Sequence, residues 1–245
     1  MVPWLNSLDP FPPASQALKA DAAVPGLLAV TQELTATRLL QAYQQGIFPW
    51  YTEGQPVLWW SPDPRMVLAP AALKISSSLR KTIKQVLQDP SWEIRVNSDF
   101  VATMQACAHI KRPHQEGTWI TAAIVDAYHQ LHQHGQAHSI ETWHDNQCVA
   151  GLYGVALGRI FFGESMFTRC SNGSKLALAA LCAFLLEHQV ALIDCQQETA
   201  HLASLGAYPI PRKKFIDHVR QAVTQNHIKD WHFDKKILQK WVVPS

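Results

Sequence analysis

Little in this 245-residue chain classifies it at a glance, and each thing it lacks excludes something. Its five cysteines, Cys107, Cys148, Cys170, Cys182 and Cys195, are odd in number and widely spread, without a Cys-x-x-Cys pair or zinc-ligand spacing. That excludes a disulfide framework and fits a reducing cytosol. A net charge of +2 is too small to mark a nucleic-acid binder by bulk electrostatics, so any footprint of that kind must be local. The longest apolar stretch, residues 176–186, falls short of the ~20 residues that span a bilayer. Prolines 3, 10, 12, 13 and 25 break up the first thirty residues, and no basic head precedes an apolar core, so no signal peptide is expected. Gly-x-Ser-x-Gly, internal repeats and low-complexity tracts are also missing. What remains is a globular composition, 47% hydrophobic, with ample material for a core.

The most informative stretch is aromatic and proline-rich: Gly46-Ile47-Phe48-Pro49-Trp50-Tyr51, then Val57-Leu58-Trp59-Trp60-Ser61-Pro62-Asp63-Pro64-Arg65. Prolines at 49, 56, 62 and 64 forbid a continuous helix, so the rings sit on short extended pieces and turns. Most large rings belong to a core. Trp50 and Trp119 are the ones for which a binding role is expected, since a stacked nucleobase contributes roughly 1–3 kcal/mol.

Around this stretch the chain alternates helix and strand signals. Residues 35–46 read as a capped helix closed by glycine, with Leu39, Leu40 and Tyr43 on one face. Met66-Val67-Leu68 reads as a short strand, and Pro70 as the hinge after a small N-terminal domain, 1–70. Within 71–245, helices are expected over 77–88, 99–109 and 121–134, and a strand over 92–96. A hairpin of 137–143 and 147–155 turns at His144-Asp145-Asn146, and a third antiparallel strand covers 159–164. Ser174 reads as the N-cap of an apolar helix ending at His188, and 191–195 as a buried strand. The fold class is therefore α+β, with a mixed sheet in the larger domain.

Two carboxylates draw attention because each follows an apolar strand: Glu164 after Ile160-Phe161-Phe162-Gly163, and Asp194 after Ala191-Leu192-Ile193. A charge at the edge of a buried sheet is costly unless paired or used. If the second strand continues, Gln196 leaves on the same face as Asp194; alternatively, Asp194 only caps the next turn. Residues 163–169 lead through Asn172-Gly173-Ser174-Lys175 into a helix whose amides could hold an anion or a carbonyl oxygen. His129, His132, His134 and His138 lack carboxylate or cysteine partners at ligand spacing and read as structural or solvated, so no metal is expected. Lys111 and Arg112, between His109 and His114, read as a solvated basic turn. Lys74, Arg80, Lys81 and Lys84 form either a solvated helix face or a contact for RNA phosphates.

Taken in order, Gly46-Ile47-Phe48-Pro49-Trp50, Leu58-Trp59-Trp60-Ser61-Pro62-Asp63-Pro64-Arg65, Glu116-Gly117-Thr118-Trp119-Ile120-Thr121, His138-Ser139-Ile140-Glu141, Gly163-Glu164-Ser165-Met166-Phe167, Ser174-Lys175 and Ile193-Asp194-Cys195-Gln196 resemble the leucyl/phenylalanyl-tRNA–protein transferase family. The likeness runs from about residue 34 to 211. It implies a cytoplasmic enzyme, expected to be monomeric, without membrane or cofactor. Such an enzyme takes Leu, Phe or Met from aminoacyl-tRNA and joins it to the N-terminal Arg or Lys of a protein, marking that protein for degradation. It also implies that the larger domain resembles the acyl-CoA N-acyltransferase (GNAT-like) fold.

Under that resemblance, Asp194, Gln196 and Glu164 become the catalytic candidates. Asp194 would take or orient the proton of the incoming amine, Gln196 would position the amine or the carbonyl, and Glu164 would pair with the cationic acceptor. Trp50 and Trp119 would receive the terminal adenosine. Leu152, Phe161, Leu181 and Ile193 would line the apolar donor pocket, and Arg80, Lys81 and Lys84 would touch acceptor-stem phosphates. Thr199 and Ala200 stand where the family often has Asn or Asp. Two rivals stay open at this point: an acetyl-CoA-dependent N-acetyltransferase, for which Arg169-Cys170-Ser171-Asn172-Gly173-Ser174 is a poor pyrophosphate loop, and a non-catalytic RNA-end binder.

Overall fold

The computed structural model describes residues 1–110 and 118–242; Lys111, Arg112, His114, Glu116 and Gly117 lie outside them. The N-terminal part forms a four-stranded sheet from β1 (Trp4–Leu5), β2 (Leu27–Thr31), β3 (Phe48–Pro49) and β4 (Val57–Trp60), in the order β1-β2-β4-β3. Between β2 and β3 lies helix α1 (Ala36–Tyr43). The Thr35 side chain caps it by accepting from the Arg38 amide, and Gly46 leaves the helix with a φ of 71°. The proline-rich connections described above do confine the aromatic segment to short strands.

A seven-stranded sheet fills the rest, built from β5 (Arg65–Leu68), β6 (Trp92–Val96), β7 (Ala137–His144), β8 (Gln147–Leu157), β9 (Ile160–Thr168), β10 (Leu192–Gln196) and β11 (Tyr208–Ile210). Its order is β11-β5-β10-β9-β8-β7-β6. All pairings are antiparallel except β9 with β10, which run parallel because α5 (Gly173–Glu187) provides the crossover between them. The hairpin of β7 and β8 turns at Asp145 and Asn146, both with positive φ, as a two-residue turn of matching twist requires. The mixed α+β class expected from the alternating signals is the observed one.

Helices cover both faces of this sheet. On one face α5 packs with α2 (Ser77–Gln88) and a 3₁₀ segment, Lys235–Trp241, over Met66, Leu68, Ile140, Leu152, Phe161 and Ile193. On the other, α1, α3 (Phe100–Ala108), α4 (Ala122–Gln133) and α7 (Arg212–Ala222) cover Tyr153, Val155, Ile160, Phe162 and Leu192. That second core also takes in Phe48, Trp59 and Val57, so the four-stranded sheet shares its interior with the larger one. A short helix, α6 (Ala200–Ser204), follows β10.

Two local readings need correction. Ser174 is not the cap of α5: the chain enters through Asn172 in the left-handed region, φ 61°, without a side-chain cap bond. Gly173 is forced by packing, since a Cβ there would lie 2.7 Å from the Ala150 Cβ and from the Thr168 Oγ1. Residues 163–168, read as the approach to that helix, instead prolong β9, because β8 is long enough to pair with them as far as Thr168. Among the described residues the five cysteines are free, and no helix is long and apolar enough to cross a membrane.

Candidate active site

The site grows out of two irregularities in neighbouring strands. In β9, Gly163 pairs with Gly154 and Ser165 with Tyr153, leaving Glu164 as an extra, bulged residue. In β10, Asp194 pairs with Val67 and Gln196 with Met66, leaving Cys195 as the extra one. Bulges bend a strand and re-aim its side chains. The parallel pairing of β9 with β10 stops at Phe162 and Asp194, so beyond that point the two strands part while each keeps its outer neighbour. Half-buried residues collect at this opening: Gly163, Glu164, Ser165 and Met166 on one side, Cys195 and Gln196 on the other. Gly154 makes the bulge possible, since a Cβ there would lie 2.2 Å from the Phe162 carbonyl oxygen.

Glu164 sits mid-strand, not at a strand end, and is held by three donors from three other elements. The Tyr43 hydroxyl donates to its Oε1 at 2.6 Å, Tyr128 to its Oε2 at 3.0 Å, and the Gln196 Nε2 to its Oε1 at 2.8 Å; the two tyrosine hydroxyls also touch each other. Burial nevertheless pushes the Glu164 carboxyl up to about 7, with a smaller upward contribution from the Asp194 charge and the three donors pulling the other way. Tyr43 and Tyr128 are raised well above the usual phenol range, first by burial and then by the Glu164 charge, so both remain protonated donors.

Asp194 is completely buried, and its carboxylate is occupied. Arg65 grips it with two parallel bonds, Nε to Oδ1 at 2.8 Å and Nη2 to Oδ2 at 2.6 Å, and Oδ1 also accepts from the Gln196 amide at 2.9 Å. The turn-capping and paired-charge readings of Asp194 therefore both hold in part. Arg65, equally buried, lies between the rings of Phe48 and Phe215, 4.7 and 4.5 Å from their centroids. Gln196 has a φ of 64°, a conformation that costs a non-glycine residue energy and that the Asp194 bond to its amide helps to hold. The neighbouring Cys195 thiol is raised far above its ordinary range, by burial first and the Asp194 charge second, which removes it as a thiolate nucleophile.

The aromatic candidates differ. Trp50 is 41% exposed and stands edge-on to Trp60, whereas Trp119 is only 5% exposed. Their segments adjoin through a hydrogen bond between the Tyr51 and Thr121 side chains. Leu152, Phe161, Leu181 and Ile193 come together in one buried cluster on the α5 face, opposite the face of Glu164 and Arg65. Gly163 lies between the two, and a Cβ on it would be 3.7 Å from the Ile193 Cγ2, so its missing side chain leaves the way open toward that cluster.

The basic candidates divide as well. Lys81 and Lys84 are exposed along a shallow groove with Gln85 and Gln88, while the half-buried Arg80 turns away and donates to the Trp241 carbonyl at 2.8 Å. Thr199 caps α6 by accepting from the Leu202 amide, with Ala200 the first residue of that helix. His132 and His134 hydrogen-bond to backbone carbonyls. His138 stacks on Trp231 at 3.6 Å, and burial lowers it to about 3. Glu141 accepts from Ser139, Trp143 and the Asp99 amide, so the His138-Ser139-Ile140-Glu141 motif ties β7 to the start of α3.

Sequence reasoning gave no role to Arg65, Tyr128 or the Tyr43 hydroxyl. Arg65 carried a usable signal: a charge heading the apolar Met66-Val67-Leu68 is as anomalous as the acids after the other strands. The tyrosines carried none, since a buried tyrosine on a helix face looks like ordinary core.

Comparison with known proteins adds a separate line of observation. A family model described as leucyl/phenylalanyl-tRNA protein transferase matches residues 67–220, and the model of that family's N-terminal domain matches residues 32–63. The leucyl/phenylalanyl-tRNA–protein transferase of Cupriavidus taiwanensis is 62% identical over 98% of this chain and 96% of its own length. The one from Ralstonia pickettii is 58% identical over 99% and 98%. Among solved structures, a GCN5-related N-acetyltransferase from Kribbella flavida overlaps 69% of this chain and 59% of its own, with 13% identity and a TM-score of 0.33.

Proposed function

This chain belongs to the leucyl/phenylalanyl-tRNA–protein transferase family, and from that premise we propose how its residues carry out the transfer of an aminoacyl group from tRNA to protein. The ester bond of the donor is already activated. The enzyme therefore has mainly to align ester and amine and to remove a proton from the amine. Alignment can supply roughly 7–11 kcal/mol of the barrier.

The base is Glu164. An α-ammonium group titrates near ~8, so a carboxylate at about 7 is matched to it, and the opening between β9 and β10 gives Glu164 access to an incoming amine. As the amine nitrogen attacks the ester carbonyl, its proton passes to Glu164, and the same proton is available to the departing ribose oxygen. When ionised, Glu164 also attracts the cationic N-terminal residue of the acceptor, Arg or Lys. Gln196 donates to Glu164 and holds the reacting groups in line. Asp194, with both oxygens engaged by Arg65, orients Gln196 and does not take the proton.

The donor side chain enters the cluster of Leu152, Phe161, Leu181 and Ile193 past Gly163. One methylene in such a pocket is worth only ~1–3 kcal/mol, so Leu, Phe and Met are all accepted while polar residues are rejected. The adenosine stacks on Trp50, with Trp119 bounding that region from the core side. Lys81 and Lys84 meet acceptor-stem phosphates, and Arg80 holds the C-terminal segment in place. We further propose a monomeric, cytoplasmic protein divided into 1–70 and 71–245, whose products enter degradation.

The observation that carries this reading is the Glu164–Gln196 pair at the opening of the central sheet. Its test is transfer of labelled Leu or Phe from charged tRNA to peptides differing only in their first residue. Arg and Lys peptides should accept, and neutral or acidic ones should not; equal acceptance would remove Glu164 as the recognition group. For Trp50→Ala, the donor KM should rise at least tenfold with the acceptor KM unchanged, as loss of one stacked base predicts. An unaltered donor KM would count against stacking.

A further inference from the structure

The opening between β9 and β10 has a second consequence. As far as Phe162 the edge of β9 is paired with β10, but over residues 163–168 it has only β8 as a strand neighbour, on its other side. No described loop backbone hydrogen-bonds to those residues from the open side. A strand edge inside a sheet, half-buried and without a partner, is a template for an added strand. Resting on the reading that Glu164 and Gln196 receive the acceptor's amine, we infer that the acceptor polypeptide lies in this opening as an extra strand along β9.

The direction follows from the geometry. The amine is held where the strands part, so the following residues leave toward Thr168, parallel to β9 as β10 is. At about 3.3 Å per residue, the edge from Gly163 to Thr168 accommodates four or five acceptor residues. Binding of this kind uses main-chain amides and carbonyls, which every protein has. It therefore grips acceptors of unrelated sequence while Glu164 alone reads the first residue. Within a strand, successive amides point alternately toward and away from the partner, so only every second acceptor amide donates to β9.

The test uses an Arg-initiated peptide with each amide from residue 2 to residue 4 replaced in turn by its N-methyl form, alongside a side-chain scan of the same positions. N-methylation should raise the acceptor KM about five- to thirtyfold at alternating positions, as expected for loss of one hydrogen bond and crowding of the edge. The side-chain scan should stay within a few fold. N-methylation without effect at all three positions overturns the inference, as does an effect confined to the donor KM, which would assign the opening to the tRNA end. Failure of the unmodified peptide to accept Leu would instead count against the functional reading above. A peptide beginning with des-amino-arginine, which binds but cannot react, gives an independent readout: amide exchange over residues 163–168 should slow in its presence, and unchanged exchange would contradict strand addition.

Discussion

Replacing Glu164 by glutamine should slow transfer by about 10²–10⁴-fold, the usual span for loss of a positioned general base, with the donor KM little changed. The amide keeps the shape and still accepts from Tyr43, but it cannot take a proton. The wild-type rate should climb as pH rises through about 7, where Glu164 ionises, and that limb should vanish in the variant. Stability should move the opposite way. Because the folded carboxyl titrates about 7 against an ordinary value of 4.5, the native state binds the extra proton, and stability falls as pH rises between those values. The loss is on the order of 3 kcal/mol when complete. Glu164→Gln should therefore be the more stable protein in urea at pH 8, with the gain disappearing near pH 4. A variant both slow and less stable at pH 8 would show that Glu164 is a structural acceptor for the tyrosines and nothing more.

The second large effect concerns Arg65 and Asp194. Arg65→Met leaves a fully buried carboxylate without its cation and should cost about 3–5 kcal/mol in urea unfolding, enough to consume much of an ordinary domain's stability. Arg65→Lys retains the charge but not the fork. It should fold and lose kcat about 10–100-fold, because Asp194 no longer fixes the Gln196 amide in its left-handed conformation. If Asp194 acts only through that orientation, Arg65→Lys combined with Asp194→Asn should be little slower than either alone. Losses that simply multiply would restore an independent chemical role to Asp194.

Much of the fold was legible from local signals. The span of α2 and that of β6 coincide with their apolar periodicities, and Thr35 and Thr121 announce the helices they cap. β1 and β2 escaped notice because they lie among prolines and loops with no alternation to mark them. The extent of β9 was underestimated because Gly163 and Glu164 look like a strand's end. Glu164 and Asp194 were visible as anomalies, charges where apolar residues were due.

The sequence by itself determined the residue types at the site, the family they belong to and the α+β alternation, since motif order, capping and periodicity are written in neighbouring positions. Only the tertiary structure decided which acid is free to react. Asp194 meets an arginine 129 positions away and is neutralised by it, while Glu164, bulged out of its strand beneath two tyrosines, meets no cation and is driven toward neutrality by burial. A carboxylate's chemistry is set by its solvation and its partners, and both are long-range properties of the fold.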